Sequence, residues 1–258
     1  MNRNDSFRAI ILTNRRVGEI HRLVTMLAEE RGLIRAMAHG AYSKRGKLKG
    51  STNPFTYGTC YLYTNPVKEQ HKITDFDVEE DFAAVKEDIT RFYLASLWAE
   101  VVLKSYGAGD EYGQGTGEVL ELLVTALRAL AELPKERVGA VSLQFLWRYL
   151  ALNGVQPSLE ECSASGRPFG EKEARFFGPR TEGVVAEEYA DPELEALQPG
   201  VARYFVHTAS LPFAEALRVD LSATARRNAR SFIHRMTEQL VEGPLNTLQT
   251  AGPILQDL

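Results

Sequence analysis

The chain has 258 residues, 44% of them hydrophobic and 25% charged, with a formal net charge of −4. This is ordinary globular composition, enough for one large domain or two to three small ones. No stretch approaches the roughly 18 apolar residues of a membrane span, and MNRNDSFRAI offers no signal-peptide core. Two cysteines, Cys60 and Cys162, cannot make a disulfide framework, so a reducing, cytoplasmic setting is expected.

The net charge conceals an asymmetry. Residues 1–50 carry 11 Lys and Arg against 4 Asp and Glu (+7), and the remainder carries 19 against 30 (−11). A basic head on an acidic body points to a polyanion met by one part of the molecule. The first 77 residues read as β-structure. FRAIILT (7–13) is a strand. RLVTMLAEERGLIRAMAHG (22–40) has helical spacing but a turn signal at EERG, and is read as a hairpin. GAYSKRGKLKG (40–50) is a loop that places Lys44, Arg45, Lys47 and Lys49 within six positions. PFTYGTCYLYTN (54–65) alternates, with Phe55, Tyr57, Tyr61 and Tyr63 on one face and Gly58, Cys60 and Leu62 on the other. HKITDFDVEE (71–80) is the last strand. Four or five short strands on this scale suit a small barrel of the OB type.

Near residue 78 the pattern turns helical. Segments 82–106, 117–133 and 137–154 have apolar residues at helical spacing, Gly154 sits where a C-cap glycine belongs, and 107–117 is a loop expected to be mobile. Residues 155–190 lack long periodicity. Helices return at 191–211 and 222–243, with Ser222 as N-cap and Gly243 as stop.

The loop is not a Walker A motif. Five residues separate Gly40 from Gly46, and Leu48 follows Lys47 where a hydroxyl residue is required. Gly107, Gly109 and Gly113 likewise miss the dinucleotide fingerprint by one residue. Backbone docking remains: lysine and arginine on a loop match phosphates along a strand and release condensed counterions. Residues 55, 57, 61 and 63 are either core or a stacking platform for bases. A second basic cluster is Arg226, Arg227, Arg230 and Arg235 with His234; on a helix 227, 230 and 234 lie along one face with 226 adjacent, near a helix start that the macrodipole would rather fill with anions. The five histidines have no partner at motif spacing, and nothing demands an enzyme.

The order of these features resembles the RecO recombination mediator family. GEIHRLVTMLAEERGLIRAMAHGAYSKRGKLKG is similar to its N-terminal signature, with Gly18-Glu19, Gly32, Gly40-Ala41 and the 44–49 cations in place. PFTYG (54–58), VEEDFAAVKEDITRFYLASLWAE, NGVQPSLEEC (153–162) and ARSFIHRMTEQLVEGPLNTLQ resemble later family segments. The family often holds zinc with two C-x-x-C pairs. Here Cys162 stands with Ser165, and Ala186 and Tyr189 occupy the second pair, so no zinc or other cofactor is expected. The resemblance implies an α+β chain: an OB-fold DNA-binding domain over 1–78, then a mainly helical domain over 79–258 enclosing a degenerate zinc-finger-like lobe at about 155–190. That lobe is expected to be held by Phe169, Phe176, Phe177 and Val185.

The implied function is non-enzymatic. It comprises binding of single- and double-stranded DNA, strand annealing, and cooperation with RecR and the single-stranded-DNA-binding protein to load RecA, in a cytoplasmic, nucleoid-associated setting. The expected DNA contacts are Lys44, Arg45, Lys47 and Lys49, extended by Arg15, Arg16, Arg22 and Arg35, with Arg226, Arg227 and Arg230 as a second patch. A protein–protein adaptor working through the acidic body is the rival reading. A nuclease would need clustered carboxylates around a metal.

Overall fold

The computed structural model describes residues 4–43, 46–65, 70–106 and 116–255. Lys44, Arg45 and most of the 107–117 loop lie outside the described residues. The chain divides into two compact units, Met1–Glu132 and Leu133–Leu258.

The first unit is built on five strands: β1 (Asn4–Val17), β2 (His21–Ala28), β3 (Gly32–Ala38), β4 (Tyr57–Asn65) and β5 (Gln70–Glu80). They close into a barrel in the order β1-β2-β3-β5-β4, as in OB-folds. The 22–40 segment is the expected hairpin, Leu27 facing Leu33 across a turn in which Glu30 takes φ 55°. The helical spacing there was a coincidence of a strand buried along nearly its whole length, since His21–Ala28 is covered on both faces.

The interior is filled by Phe7, Ala9, Ile11, Val24, Met26, Ala36, Cys60, Leu62, Ile73 and Phe76. On β4 the interior therefore takes Cys60 and Leu62, and the aromatic stripe faces outward. Phe55 and Tyr57 are nonetheless buried, at 2% and 4% exposure, whereas Tyr61 is 38% exposed. Phe55 is covered by an edge-to-face contact with Phe92, ring centroids 5.7 Å apart. Gly58 is demanded by the sheet: a Cβ there would lie 2.0 Å from the Asp77 carbonyl oxygen, at a register shift between β4 and β5.

The expected helix 82–106 is two: α1 (Ala83–Glu87) and α2 (Ile89–Ser105). Asp88, in extended conformation, breaks it and caps the second piece by accepting from the Arg91 N–H. α3 (Thr116–Glu132) follows, and its Thr116 hydroxyl donates to Ala28 O (3.2 Å) and accepts from Gly32 N–H (3.3 Å), pinning the helix start to the β2–β3 hairpin.

In the second unit α4 (Val138–Leu152) ends beside Gly154, at φ 70°. Residues 155–197 form a small lobe with strands β6 (Arg175–Phe177) and β7 (Glu195–Leu197). Cys162, Val185 and Ala186 are buried in it against Phe169, Phe176 and Leu194. Phe177 instead points away to Phe232, centroids 5.0 Å apart. The expected helix 191–211 shortens to α5 (Pro199–Ala209). Its first half is held as a turn and strand by Asp191 and by pairing with β6, and Pro199 starts the helix. α6 (Phe213–Ala216), α7 (Ala223–Leu240) and α8 (Asn246–Leu255) complete the chain; the sequence reading missed α8. Ser222 caps α7 as expected, but the left-handed residue at its end is Glu242, φ 53°, not Gly243. Trp147, Phe205 and Phe232 pack together as the core of this unit, with Trp147 Nε1 donating to Phe205 O at 3.1 Å. No helix among the described residues is long and apolar enough to cross a membrane.

Candidate nucleic-acid interface

The loop after β3 is a chain of turns. Ser43 N–H donates to Gly40 O (2.9 Å), Gly46 N–H to Ser43 O (3.1 Å) and Lys49 N–H to Gly46 O (3.1 Å). Gly46 passes so close to Gly40 that a Cβ would sit 2.2 Å from its carbonyl oxygen. The loop is tethered at its start: Tyr42 N–H donates to Ile20 O (3.0 Å), and Gly40 N–H donates to His21 Nδ1 (3.2 Å). Between exposed Lys47 and Lys49, Leu48 is buried in the barrel interior, and its carbonyl accepts from the Thr52 hydroxyl (2.6 Å). The alternation points the two lysines outward from an anchored backbone.

Arg22 holds the return of the loop. It is 5% exposed, and its Nη1 donates to Thr52 O (2.8 Å), Thr52 Oγ1 (2.9 Å) and Asn53 Oδ1 (3.0 Å), with Lys49 O at 3.4 Å. The guanidinium lies 4.6 Å from the centroid of Tyr42. Its surroundings are neutral acceptors, so it tethers the loop rather than facing solvent. Arg16 is exposed but folds back on the β1–β2 turn, Nη2 donating to Glu19 O at 2.6 Å. Arg15 and Arg35 are exposed and have no carboxylate partner among the described residues. With Thr13, Asn14, Leu23 and Thr25 they line an open recess of about 360 Å³ on the outer face of β1–β3.

The neighbouring strand β5 is acidic on its outer face. Asp77 and Glu79 are exposed on β5 and Asp75 is half-buried beside them. Lys47 Nζ pairs with Asp75 Oδ2, and this hydrogen bond lifts the Lys47 pKa and lowers that of Asp75. Glu79 engages Arg8 (3.0 Å), and Glu80 accepts from Arg128 Nε (2.9 Å). Sequence reading missed this acidic partner of the loop; the alternating carboxylates of TDFDVEE were its signal.

On α7 the second cluster is differently placed. Arg227 is exposed, Arg226 and Arg230 are half-buried, and Arg230 Nη1 donates to Leu255 O (2.8 Å). Partly covered His234 is held at about 4, by burial first and by the Arg230 charge second. Cys60, in the barrel interior, has its thiol pushed up to about 12 by burial, so it is inert. Burial also pushes the Cys162 thiol up, but hydrogen bonds from Ser165 and the Ala186 amide (3.4 Å) outweigh it. Among the described residues no group of three or more His, Cys, Asp or Glu could hold a metal.

Comparison with known proteins gives two family matches. Residues 1–82 match the model described as recombination protein O, N terminal, and residues 86–249 the model described as recombination protein O, C terminal. Proteins called DNA repair protein RecO are similar in sequence. That of Gloeobacter violaceus is 30% identical over 66% of this chain and 64% of its own length. That of Heliobacterium modesticaldum is 29% identical over 77% of this chain and 71% of its own, and that of Desulforamulus reducens 25% over 88% and 89%. The match thus spans a little under two thirds of the Gloeobacter protein.

Proposed function

The chain belongs to the recombination protein O family, and on that premise we propose that it is a non-enzymatic mediator of recombinational repair. In this reading residues 1–78 are the DNA-binding domain and 79–258 a mainly helical domain. The protein binds single- and double-stranded DNA and anneals complementary strands. With RecR and the single-stranded-DNA-binding protein it helps RecA load. Annealing needs no bond chemistry: cations that hold two strands screen their mutual repulsion.

The observation that carries the DNA-binding part is the anchored loop. Its backbone is fixed by Leu48, Thr52 and Arg22, while Lys47 and Lys49 project outward. Lys44 and Arg45 belong to the same sequence run. Arg15 and Arg35 extend the cationic surface, Arg16 borders it, and Arg22 acts as a positioning residue beneath it. Arg226, Arg227 and Arg230 are a second, weaker surface. In this reading the segment at about 155–190 is a zinc module without its ligands, and the cluster of Cys162, Val185 and Ala186 with Phe169 and Phe176 supports it by holding the segment together without a metal.

The test is anisotropy of labelled single-stranded DNA across a salt series, wild type against the variant with Lys44, Arg45, Lys47 and Lys49 all changed to Ala. Four lost phosphate contacts flatten the slope of log K against log salt by about 3 units. An unchanged slope rejects this surface and favours the adaptor reading.

A further inference from the structure

We propose that Asp75 is an intramolecular competitor for phosphate: it occupies Lys47 in the free protein and so weakens the grip of the loop on DNA at that one position. The inference rests on the reading of the 40–50 loop as a DNA contact, and deepens it.

The pair joins residues 28 apart in sequence, from the loop to β5, with 73% of the Lys47 side chain and 33% of the Asp75 side chain exposed. The carboxylate is fixed, because the Phe76 N–H donates to Asp75 Oδ1 at 3.0 Å while Lys47 engages Oδ2. The loop backbone on the other side is fixed by the burial of Leu48 and by the Thr52 hydroxyl. Only the lysine stem is free to swing, so Nζ exchanges between carboxylate and phosphate oxygens without refolding the loop. Both are compact oxyanions, and an ammonium treats them as point charges.

The exchange has a cost that the other described lysine of the loop does not bear. Lys49 is exposed and has no carboxylate partner among the described residues. When Lys47 turns to a phosphate, Asp75 is left without its counter-ion, beside exposed Asp77 on the same strand face and near the incoming backbone. Like charges then oppose the strand at this point. Lys49 therefore holds firmly and Lys47 loosely, which suits a protein that must let a paired product go.

The experiment measures binding of a labelled oligothymidylate to the full chain across a salt series, for wild type, D75N, D77N, K47A, K49A and K47A/D75N. Asparagine keeps the shape and the acceptor for the Phe76 amide. Because exposed ion pairs are weak, D75N is expected to tighten binding about two- to fivefold. It should also steepen the salt slope by up to about 0.7, the share of one phosphate on a single strand. D77N, which removes the same charge without freeing Lys47, should gain less, and D75N in the K47A background should gain no more than D77N does in wild type. The inference is overturned if D75N matches wild type or D77N, or if its gain persists in full without Lys47. If K49A weakens binding while D75N is silent, the loop reading stands and this inference alone fails. If K47A and K49A both bind like wild type, both fail.

Discussion

The barrel loop and α7 each bring together a cluster of cations, and they use them in opposite ways. In the loop, neutral groups satisfy the backbone, Arg22 braces it from beneath, and Lys47 and Lys49 are left at the surface, Lys47 in a solvent-exposed pair with Asp75. On α7 the cations are partly absorbed by the fold. Arg230 holds the carbonyl of Leu255, Arg235 engages Glu238 at 3.5 Å, and only Arg227 of the proposed three is exposed. A count of positive charge therefore does not rank two surfaces; what ranks them is how many cations remain at the surface on an anchored backbone, able to turn to a ligand, once the chain has folded.

The largest test of that contrast is Arg22→Met. It removes the donors to Thr52 and Asn53 from a buried site, leaving acceptors unsatisfied, and should cost about 2–4 kcal/mol in urea unfolding. DNA affinity should fall as well, although Arg22 is buried; a variant of wild-type stability would show that the loop is anchored by other groups.

His234 sharpens the α7 side. A histidine depressed to about 4 when folded stays neutral there, while the unfolded chain gains its proton near 6.5. Stability is thus fully present above about pH 6.5 and drains away as pH falls toward 4, by about 1–3 kcal/mol given partial exposure. His234→Asn should flatten urea midpoints across that window. An unchanged slope would place the acid sensitivity elsewhere.

Gly46→Ala should cost about 1–3 kcal/mol, because its Cβ would meet the Gly40 carbonyl and force the turns apart. Thermal unfolding reads it, and neutrality would mean that the loop has room to shift. The smallest effect is expected from changing Arg226, Arg227 and Arg230 to Ala: a salt slope shallower by about one unit or less, since only Arg227 of the three is exposed. A change as large as that of the loop variant would erase the contrast.

Much of the barrel could be read before any coordinates. Alternation on 54–65, the turn at EERG and the spacing of short strands fix its elements locally, and Ser222 and Gly154 mark helix ends by chemistry that acts within a few residues. Other features are not local. The apolar periodicity of 82–106 hides the break at Asp88, which shows only when its side chain caps Arg91. DPELEAL has helical composition, but pairing with β6 takes 195–197 as strand. The aromatic stripe of β4 could not be assigned to core or surface, because burial of Phe55 depends on Phe92, 37 residues away.

The sequence by itself determined the family, the barrel, the absence of zinc-ligand pairs at 162–165 and 186–189, and the position of the cation run. These follow from residue type and spacing, which need no partner. Tertiary structure decided which cations face solvent. Arg22 is drawn inside because Thr52 and Asn53 are brought to it, Arg15 and Arg35 line one recess because β1 and β3 flank β2, and Lys47 is restrained because closure of the barrel carries Asp75 to the loop. Charge is written along the chain, but its availability depends on neighbours that only folding assembles.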